Sequence, residues 1–167
     1  MTTPPVWLLD VDGVINVRRP QWHAQPHHGT AFSAGMGWRM RWAPQLIARI
    51  RALHRTGAAE VRWCTSWCAE ADQLERLFRL PAFGRAFPDE TPGDGRKLAA
   101  ARAVLAEGRR LIWTDDAEVP VPQEEPELYS ELTAGGHALL IRPHERDGLR
   151  PAHLDQIEAF ARAPSTA

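Results

Sequence analysis

Residues 6–15 read VWLLDVDGVI, an apolar stretch that contains two acids. Four apolar residues end on Asp10, and a second acid, Asp12, follows two positions later. The apolar run has the composition of a buried strand, whereas carboxylates are seldom buried unless they are paired or bind a metal. Two acids at the end of a core strand therefore indicate a functional site and not a packing position.

The composition is that of an ordinary globular domain. The chain has 167 residues, 44% of them hydrophobic and 25% charged, which fits one domain with a single core. Its net charge of −1 provides no overall field that would favour DNA or an anionic membrane. No apolar run approaches the roughly 20 residues that span a bilayer, and the N-terminus lacks the basic region of a signal peptide. We therefore expect a cytoplasmic protein with no membrane partner.

The cysteine and lysine content carries two further predictions. Cys64 and Cys68 lie four positions apart, at a predicted turn from strand to helix, where buried thiols are a better explanation than a disulfide or a zinc site. Of the 20 Lys and Arg residues, 19 are arginine and only Lys97 is lysine. In such a chain a single lysine is a candidate for a site that needs a compact ammonium group.

Short apolar runs alternate with helical patterns along the chain. Strands are predicted at 6–10, 61–65, 84–89, 110–116 and 137–143, and helices at 44–57, 69–80, 95–108 and 151–162, with a loop and a short helix around 123–131. Strands separated by helices indicate a mostly parallel sheet flanked by helices. Ligands bind such open sheets beyond the carboxyl ends of the strands.

Residues 16–43 do not fit this alternation, because they form a long stretch rich in Gly, Trp, His and Arg. We interpret them as a flap over the site, in the form of a β-hairpin, with a structural excursion or a disordered loop as the alternative. Alternating apolar and basic residues at 38–42 are also typical of a half-buried strand. Aromatic and basic side chains here could instead contact a base, a sugar or phosphates. The aromatic candidates are Trp22, Trp38 and Trp42, and the basic ones are Arg18, Arg19, Arg39 and Arg41.

Polar residues gather where predicted strands end or a predicted helix begins. Four carboxylates at one sheet edge would repel one another, and their pKa values would rise unless cations neutralised them. Ligands that are all oxygen suit Mg²⁺, and a lysine adds positive charge. Together with an aspartate that attacks phosphorus, these are the requirements of phosphoryl transfer. The residues are Asp10, Asp12, Thr65, Ser66, Lys97, Asp115 and Asp116.

These motifs resemble those of haloacid dehalogenase (HAD) superfamily phosphohydrolases. LLDVDGV resembles the first motif of that family, CTS at 64–66 the second, the lysine of GRKLAAA the third, and LIWTDD the fourth. The resemblance implies a three-layer α/β/α Rossmann-like fold with a mostly parallel sheet. Too few residues separate the motifs for a full cap domain, so the chain is similar to the capless type with a flap. We expect one domain over 1–162, with a flap insertion at 16–43 and a frayed tail at 163–167.

The resemblance also implies a role for each residue. Asp10 would be the nucleophile, and Asp12 would protonate the leaving group and then activate water, while its backbone carbonyl binds the metal. Because dehalogenases of the family lack this second acid, the chain resembles the phosphatase branch. The implied phosphate-binding residues are Thr65, Ser66 and Lys97, and the implied ligands of Mg²⁺ are Asp10, Asp12, Asp115 and Asp116.

Two alternatives to a general phosphatase stay open. One is a binding or regulatory protein that has the fold without the catalysis. The other is a phosphatase for nucleotides or nucleic-acid ends in RNA or DNA repair, because capless members commonly act on large substrates. The expected partner is a phosphorylated substrate, which can be a small molecule, a nucleotide or a nucleic-acid end. A P-loop is disfavoured because PGDGRK at 92–97 does not meet its pattern.

Overall fold

A computed structural model describes residues 3–88 and 95–164 of the chain. Seven strands, five α-helices and two short 3₁₀ helices lie in these two ranges. In chain order, the strands and α-helices are β1 (Val6–Leu9), β2 (His27–Ser33), β3 (Met36–Trp42), α1 (Pro44–Arg55), β4 (Glu60–Trp63), α2 (Ala71–Phe78), β5 (Gly84–Arg85), α3 (Arg96–Ala106), β6 (Leu111–Thr114), α4 (Pro126–Thr133), β7 (Ala138–Ile141) and α5 (Pro151–Arg162).

Five of the strands form a parallel sheet in the order β5-β4-β1-β6-β7. The central strand is β1, whose last residue Leu9 is aligned with Trp63 of β4 on one side and with Thr114 of β6 on the other. The residues that follow these three strands therefore meet at one edge of the sheet. The strand order reverses direction at β1, which is where open α/β sheets bind their ligands.

Helices cover both faces of the sheet. In β1, Trp7 and Leu9 belong to a core with α1, α2 and α5, whereas Val6 and Leu8 belong to a second core with α3 and α4. This alternation follows from the two-residue period of a strand that is buried on both faces. The three-layer α/β/α fold with a parallel sheet, predicted from the sequence, is confirmed.

The elements deviate from the sequence predictions mainly at their ends. The helix predicted at 69–80 begins with a 3₁₀ turn at Cys68–Glu70 and ends at Phe78, because Arg79 adopts a left-handed conformation with φ 54°. The strand predicted at 84–89 is only Gly84–Arg85, and position 89 lies outside the described residues. Part of the predicted frayed tail, 165–167, also lies outside them.

An antiparallel hairpin of β2 and β3 occupies 27–42, within the stretch for which a flap is predicted. Ala34 and Gly35 between its strands both have positive φ values, as the two central residues of a tight type I′ hairpin turn do. Between β4 and α3, the described residues form only the 3₁₀ turn, α2 and β5. In the part of the chain that the structure describes, no helix combines the length and the apolar character needed to cross a bilayer.

Candidate active site

The only lysine of the chain bridges two carboxylates at the carboxyl edge of the sheet. Lys97 lies in the first turn of α3, and its Nζ donates hydrogen bonds to Asp10 Oδ2 at 2.9 Å and to Asp115 Oδ2 at 2.5 Å. Asp10 follows β1 and Asp115 follows the neighbouring strand β6, and both side chains are buried. The bridge therefore joins the first, third and fourth sequence motifs in one cluster.

The two bridged carboxylates differ in their affinity for protons. Burial and the charge of Asp115 raise the pKa of Asp10 to about 7, although Lys97 acts in the opposite direction. Burial alone would also raise the pKa of Asp115, but Lys97 and two backbone N–H groups that bind its Oδ1 outweigh this effect and lower the pKa. The pKa of Lys97 is raised, because its two carboxylate partners outweigh its own burial. The cluster thus keeps an ammonium group beside an ionised Asp115.

A third acid completes an oxygen-only cluster. One carboxylate oxygen from each of Asp10, Asp115 and Asp116 lies within 4.8 Å of the other two. Burial and the neighbouring Asp115 raise the pKa of Asp116. When all three acids are ionised, Lys97 neutralises one negative charge and leaves two, which matches the charge of a divalent cation. Hard oxygen donors of this kind suit Mg²⁺, so the residues present fit the predicted metal.

The backbone conformation and the surroundings of position 13 explain why the first motif contains a glycine. The φ of Gly13 is +72°, a conformation that other residues adopt only with strain. A Cβ atom placed on Gly13 would also lie 2.3 Å from the carboxyl group of Asp116. Only a glycine lets the turn after β1 pass this close to the acid that follows β6.

Asp12 has an environment of its own, outside the three-carboxylate cluster. Its Oδ1 accepts a hydrogen bond from Asn16 Nδ2 at 2.8 Å, and its Oδ2 accepts one from Trp67 Nε1 at 2.9 Å. These two donors hold both carboxylate oxygens and so set the orientation of the group. Sequence reasoning singled out neither Asn16 nor Trp67. Each follows a predicted motif within four residues, but no sequence pattern shows where an amide or an indole N–H points.

The second motif lies beside this group. Thr65 is buried after β4, and its Oγ1 accepts a hydrogen bond from the backbone N–H of Trp67. Ser66 is exposed and faces the space above the carboxylates. The structure therefore brings all seven predicted catalytic, phosphate-binding and metal-binding residues to one edge of the sheet.

A cavity of about 1170 Å³ opens over these residues, and basic side chains line much of it. Within 3–88 and 95–164, seven arginine side chains make no hydrogen bond, ion pair or ring contact with a described residue, and five of those seven line this cavity. Guanidinium groups without a described partner, beside a cluster of acids that could hold a metal ion, fit a ligand that carries several negative charges. The five are Arg18, Arg19, Arg39, Arg41 and Arg146.

The predicted flap residues separate into two groups. Trp42 is buried and packs edge-on against Phe78 with ring centroids 4.9 Å apart, and the indole N–H of the half-buried Trp22 donates to a backbone carbonyl. Trp38 is 49% exposed, but it neighbours Arg39 in β3, so the two side chains point to opposite faces of the hairpin. Of the seven flap candidates, the four arginines line the cavity, whereas the three tryptophans do not.

Comparison with known proteins agrees with these motifs. The model of a family described as the HAD domain in Swiss Army Knife RNA repair proteins matches residues 6–154. The match runs from β1 into α5 and includes all four motifs, which confirms the resemblance to the HAD superfamily. No curated protein matches the chain.

Proposed function

This chain belongs to the family of HAD domains in Swiss Army Knife RNA repair proteins, and we propose that it is a Mg²⁺-dependent phosphohydrolase. The observation that carries the proposal is the lone lysine that bridges Asp10 and Asp115 beside Asp116. Mg²⁺ held by these three acids would supply positive charge that offsets the charge of a phosphate group. In the proposed roles, the nucleophile Asp10 and the metal ligand Asp115 both contact the ammonium group of Lys97.

In the first step, an Asp10 carboxylate oxygen attacks phosphorus and the bond from phosphorus to the leaving oxygen breaks. The carboxyl group of Asp12 gives its proton to that leaving oxygen, which departs as an alcohol. The product on the protein is an aspartyl-phosphate at Asp10. Lys97, together with the hydroxyls of Thr65 and Ser66, would hold the phosphoryl group.

In the second step, the roles reverse at Asp12. Its carboxylate, now ionised, takes a proton from a water molecule as the water oxygen attacks phosphorus. The bond from phosphorus to the Asp10 oxygen breaks, which releases inorganic phosphate and restores the Asp10 carboxylate. Asp12 regains its proton, so the cycle closes with no net change in the protein.

Hydrolysis of p-nitrophenyl phosphate by the purified protein tests this proposal. We expect turnover with Mg²⁺, loss of turnover with EDTA, and recovery when Mg²⁺ is restored. Asp10→Asn should abolish turnover because the amide cannot attack phosphorus. Asp155→Asn is the matched control, because Asp155 is an exposed acid of α5 that pairs with Arg49, outside the cavity. It should keep the activity of the parent protein.

A broad panel of phosphoesters decides between catalysis and the alternative of a non-catalytic binding protein. If no ester in the panel is hydrolysed in the presence of Mg²⁺, the binding or regulatory function is the better explanation. Full activity of Asp10→Asn would also favour the binding or regulatory function, because the turnover would then come from a contaminant.

A second candidate function, a phosphatase for nucleic-acid ends, is favoured by the five arginines that line the cavity and have no partner among the described residues. A small phosphate monoester needs few of them, whereas a nucleic acid brings further phosphates beyond the reacting one. The family description, which refers to RNA repair, agrees with this substrate. We expect a higher kcat/KM for 3′- or 5′-phosphorylated oligonucleotides than for the corresponding mononucleotides.

A further inference from the structure

One face of the β2–β3 hairpin is exposed along its whole length. Cross-strand partners in an antiparallel pair project to the same side, so the register places three pairs on this face. We call it the outer face, and all six of its residues are exposed. They are His28 with Arg41, Thr30 with Arg39, and Phe32 with Gly37.

The outer face leads from the active site to an exposed aromatic ring. Arg41 and Arg39 line the cavity, and their guanidinium groups have no partner among the described residues. Phe32 lies farther along, near the hairpin turn, and is 57% exposed. Its ring lies against Gly37, where an added Cβ would be 3.2 Å from a ring carbon. Two arginines with no partner in the part of the chain that the structure describes, and then an exposed aromatic ring, thus follow one another along the hairpin.

The core beneath the hairpin does not need an aromatic ring at position 32. The opposite face of the hairpin supplies the core residues Ala31, Met40 and Trp42, each of which is buried. A polar residue at position 32 would leave that core intact. The exposed part of the ring is therefore available for contact with another molecule.

Hydrogen bonds attach the hairpin to the rest of the domain at both of its ends. Near the turn, the side-chain amide of Gln73 in α2 donates to the backbone carbonyl of Phe32 and accepts from its N–H, at 2.8 and 3.0 Å. Ser33 Oγ also donates to Glu70 at 2.9 Å. At the other end, the backbone N–H of Arg41 donates to Asn16, the residue that also binds Asp12.

We propose that the outer face binds a single-stranded nucleic acid that extends from the active site along the hairpin. The terminal phosphate lies at Lys97, phosphates of following nucleotides contact Arg41 and Arg39, and an unpaired base stacks on Phe32. Cations followed by an aromatic ring form the usual surface for single strands, because every base offers a flat face for stacking. In a duplex those faces are already stacked on neighbouring bases, so Phe32 selects single-stranded ends. The direction of the strand rests on the proposed function, which places the reacting phosphate at Lys97.

Fluorescence anisotropy with a labelled, phosphorylated single-stranded RNA octamer tests this inference. Binding is measured in the Asp10→Asn protein, so that no hydrolysis is needed for a result. We expect Phe32→Ala to raise Kd about tenfold through the loss of one base stack. Met36→Ala is the control, because Met36 is 56% exposed near the same turn but lies on the opposite face. It should leave Kd unchanged.

The salt dependence of Kd tests the two arginines separately. Replacing both Arg39 and Arg41 with alanine should reduce the slope of log Kd against log salt by about one to two, while Phe32→Ala leaves the slope unchanged. Equal affinity of Phe32→Ala and Met36→Ala would overturn the inference, and so would a blunt duplex that binds as tightly as the single strand. If Phe32 governs binding but the parent protein hydrolyses no phosphoester, the proposed function fails while the binding surface stands.

Discussion

At the scale of single residues, the two acids of DVDG are only two positions apart but meet different partners. Asp10 lies in a charged cluster with Lys97, whereas Asp12 accepts hydrogen bonds from Asn16 and Trp67. A nucleophile needs a nearby cation that offsets phosphate charge, and a proton-transfer group needs a fixed orientation toward the leaving oxygen. The different surroundings give a physical reason for the different roles that we propose for the two acids.

Trp67→Phe should reduce catalysis in a way that depends on the leaving group. The variant keeps an aromatic ring but loses the N–H that orients Asp12. An alkyl alcohol needs a proton in order to leave, while p-nitrophenolate leaves without one. We therefore expect kcat/KM for an alkyl phosphate to fall about tenfold more than kcat/KM for p-nitrophenyl phosphate, as one part of the effect of general acid catalysis.

Trp63→Phe is the matched control for this experiment. The indole N–H of Trp63 also donates to a carboxylate at 2.9 Å, but that acid is Glu75 in α2, outside the cavity. Both variants lose the same type of hydrogen bond, so both should lose stability. An equal fall for the two substrates in Trp67→Phe, as in Trp63→Phe, would mean that Trp67 serves stability alone.

The two cysteines should be unreactive in the folded protein. Both are free and buried, as the sequence predicts. Burial is the main reason that the pKa of Cys64 is well above its usual range and that the pKa of Cys68 is raised. The reactive thiolate is therefore scarce as well as inaccessible. Titration with DTNB at pH 8 should detect no rapidly reacting thiol in the native protein and two in guanidinium chloride. A thiol that reacts rapidly in the native protein would contradict the burial of both cysteines.

At the scale of elements, side chains attach the irregular segments to the helices. Gln73 of α2 binds the backbone of Phe32 as a neighbouring strand would. At the start of α5, His153 Nδ1 accepts a hydrogen bond from the backbone N–H of Arg150, in a capping arrangement. Contacts of this kind set where an element begins and how it sits on the sheet.

The cap of α5 should make stability depend on pH. Burial and the charge of Arg150 lower the pKa of the half-buried His153. Below the ordinary histidine pKa of about 6.5, the unfolded chain binds a proton that the folded protein resists, so the free energy of unfolding falls as pH is lowered. His153→Gln keeps an acceptor at this position but does not titrate. The free energy of unfolding in urea is measured at pH 7.5 and at pH 5.5. Between these two values it should fall more in the parent protein than in His153→Gln. An equal fall in both proteins would mean that His153 does not cause the pH dependence.

At the scale of the whole molecule, the sequence predicts the site better than it predicts its surroundings. Short apolar runs, helical spacing and polar residues at the ends of strands are local signals, and they suffice to place Asp10, Thr65, Lys97 and Asp115 at one edge of a parallel sheet. The alternation at 38–42 predicts a strand with a buried face, and Met40 and Trp42 are indeed buried.

Features that depend on contacts between distant segments could not be predicted. The bond from Trp67 to Asp12 joins residues 55 positions apart, and nothing in the local sequence sets its direction. Whether an arginine has a partner also depends on the fold: Arg49 pairs with acids of α5, while Arg39 faces the cavity and has no partner within 3–88 and 95–164. The composition alone gave no reason to separate one arginine from another.

The site exists only when three strands and one helix come together. The central step of the proposed mechanism is the transfer of the phosphoryl group to Asp10. The most direct measurement combines Asp12→Asn with p-nitrophenyl phosphate and Mg²⁺. This variant can phosphorylate Asp10, because the leaving group needs no proton, but it lacks the base that activates water. We predict a burst of about one p-nitrophenolate per protein molecule and, by peptide mass spectrometry after acid quench, a phosphoryl group on Asp10. Steady turnover without an adduct, or an adduct on another residue, would contradict the account.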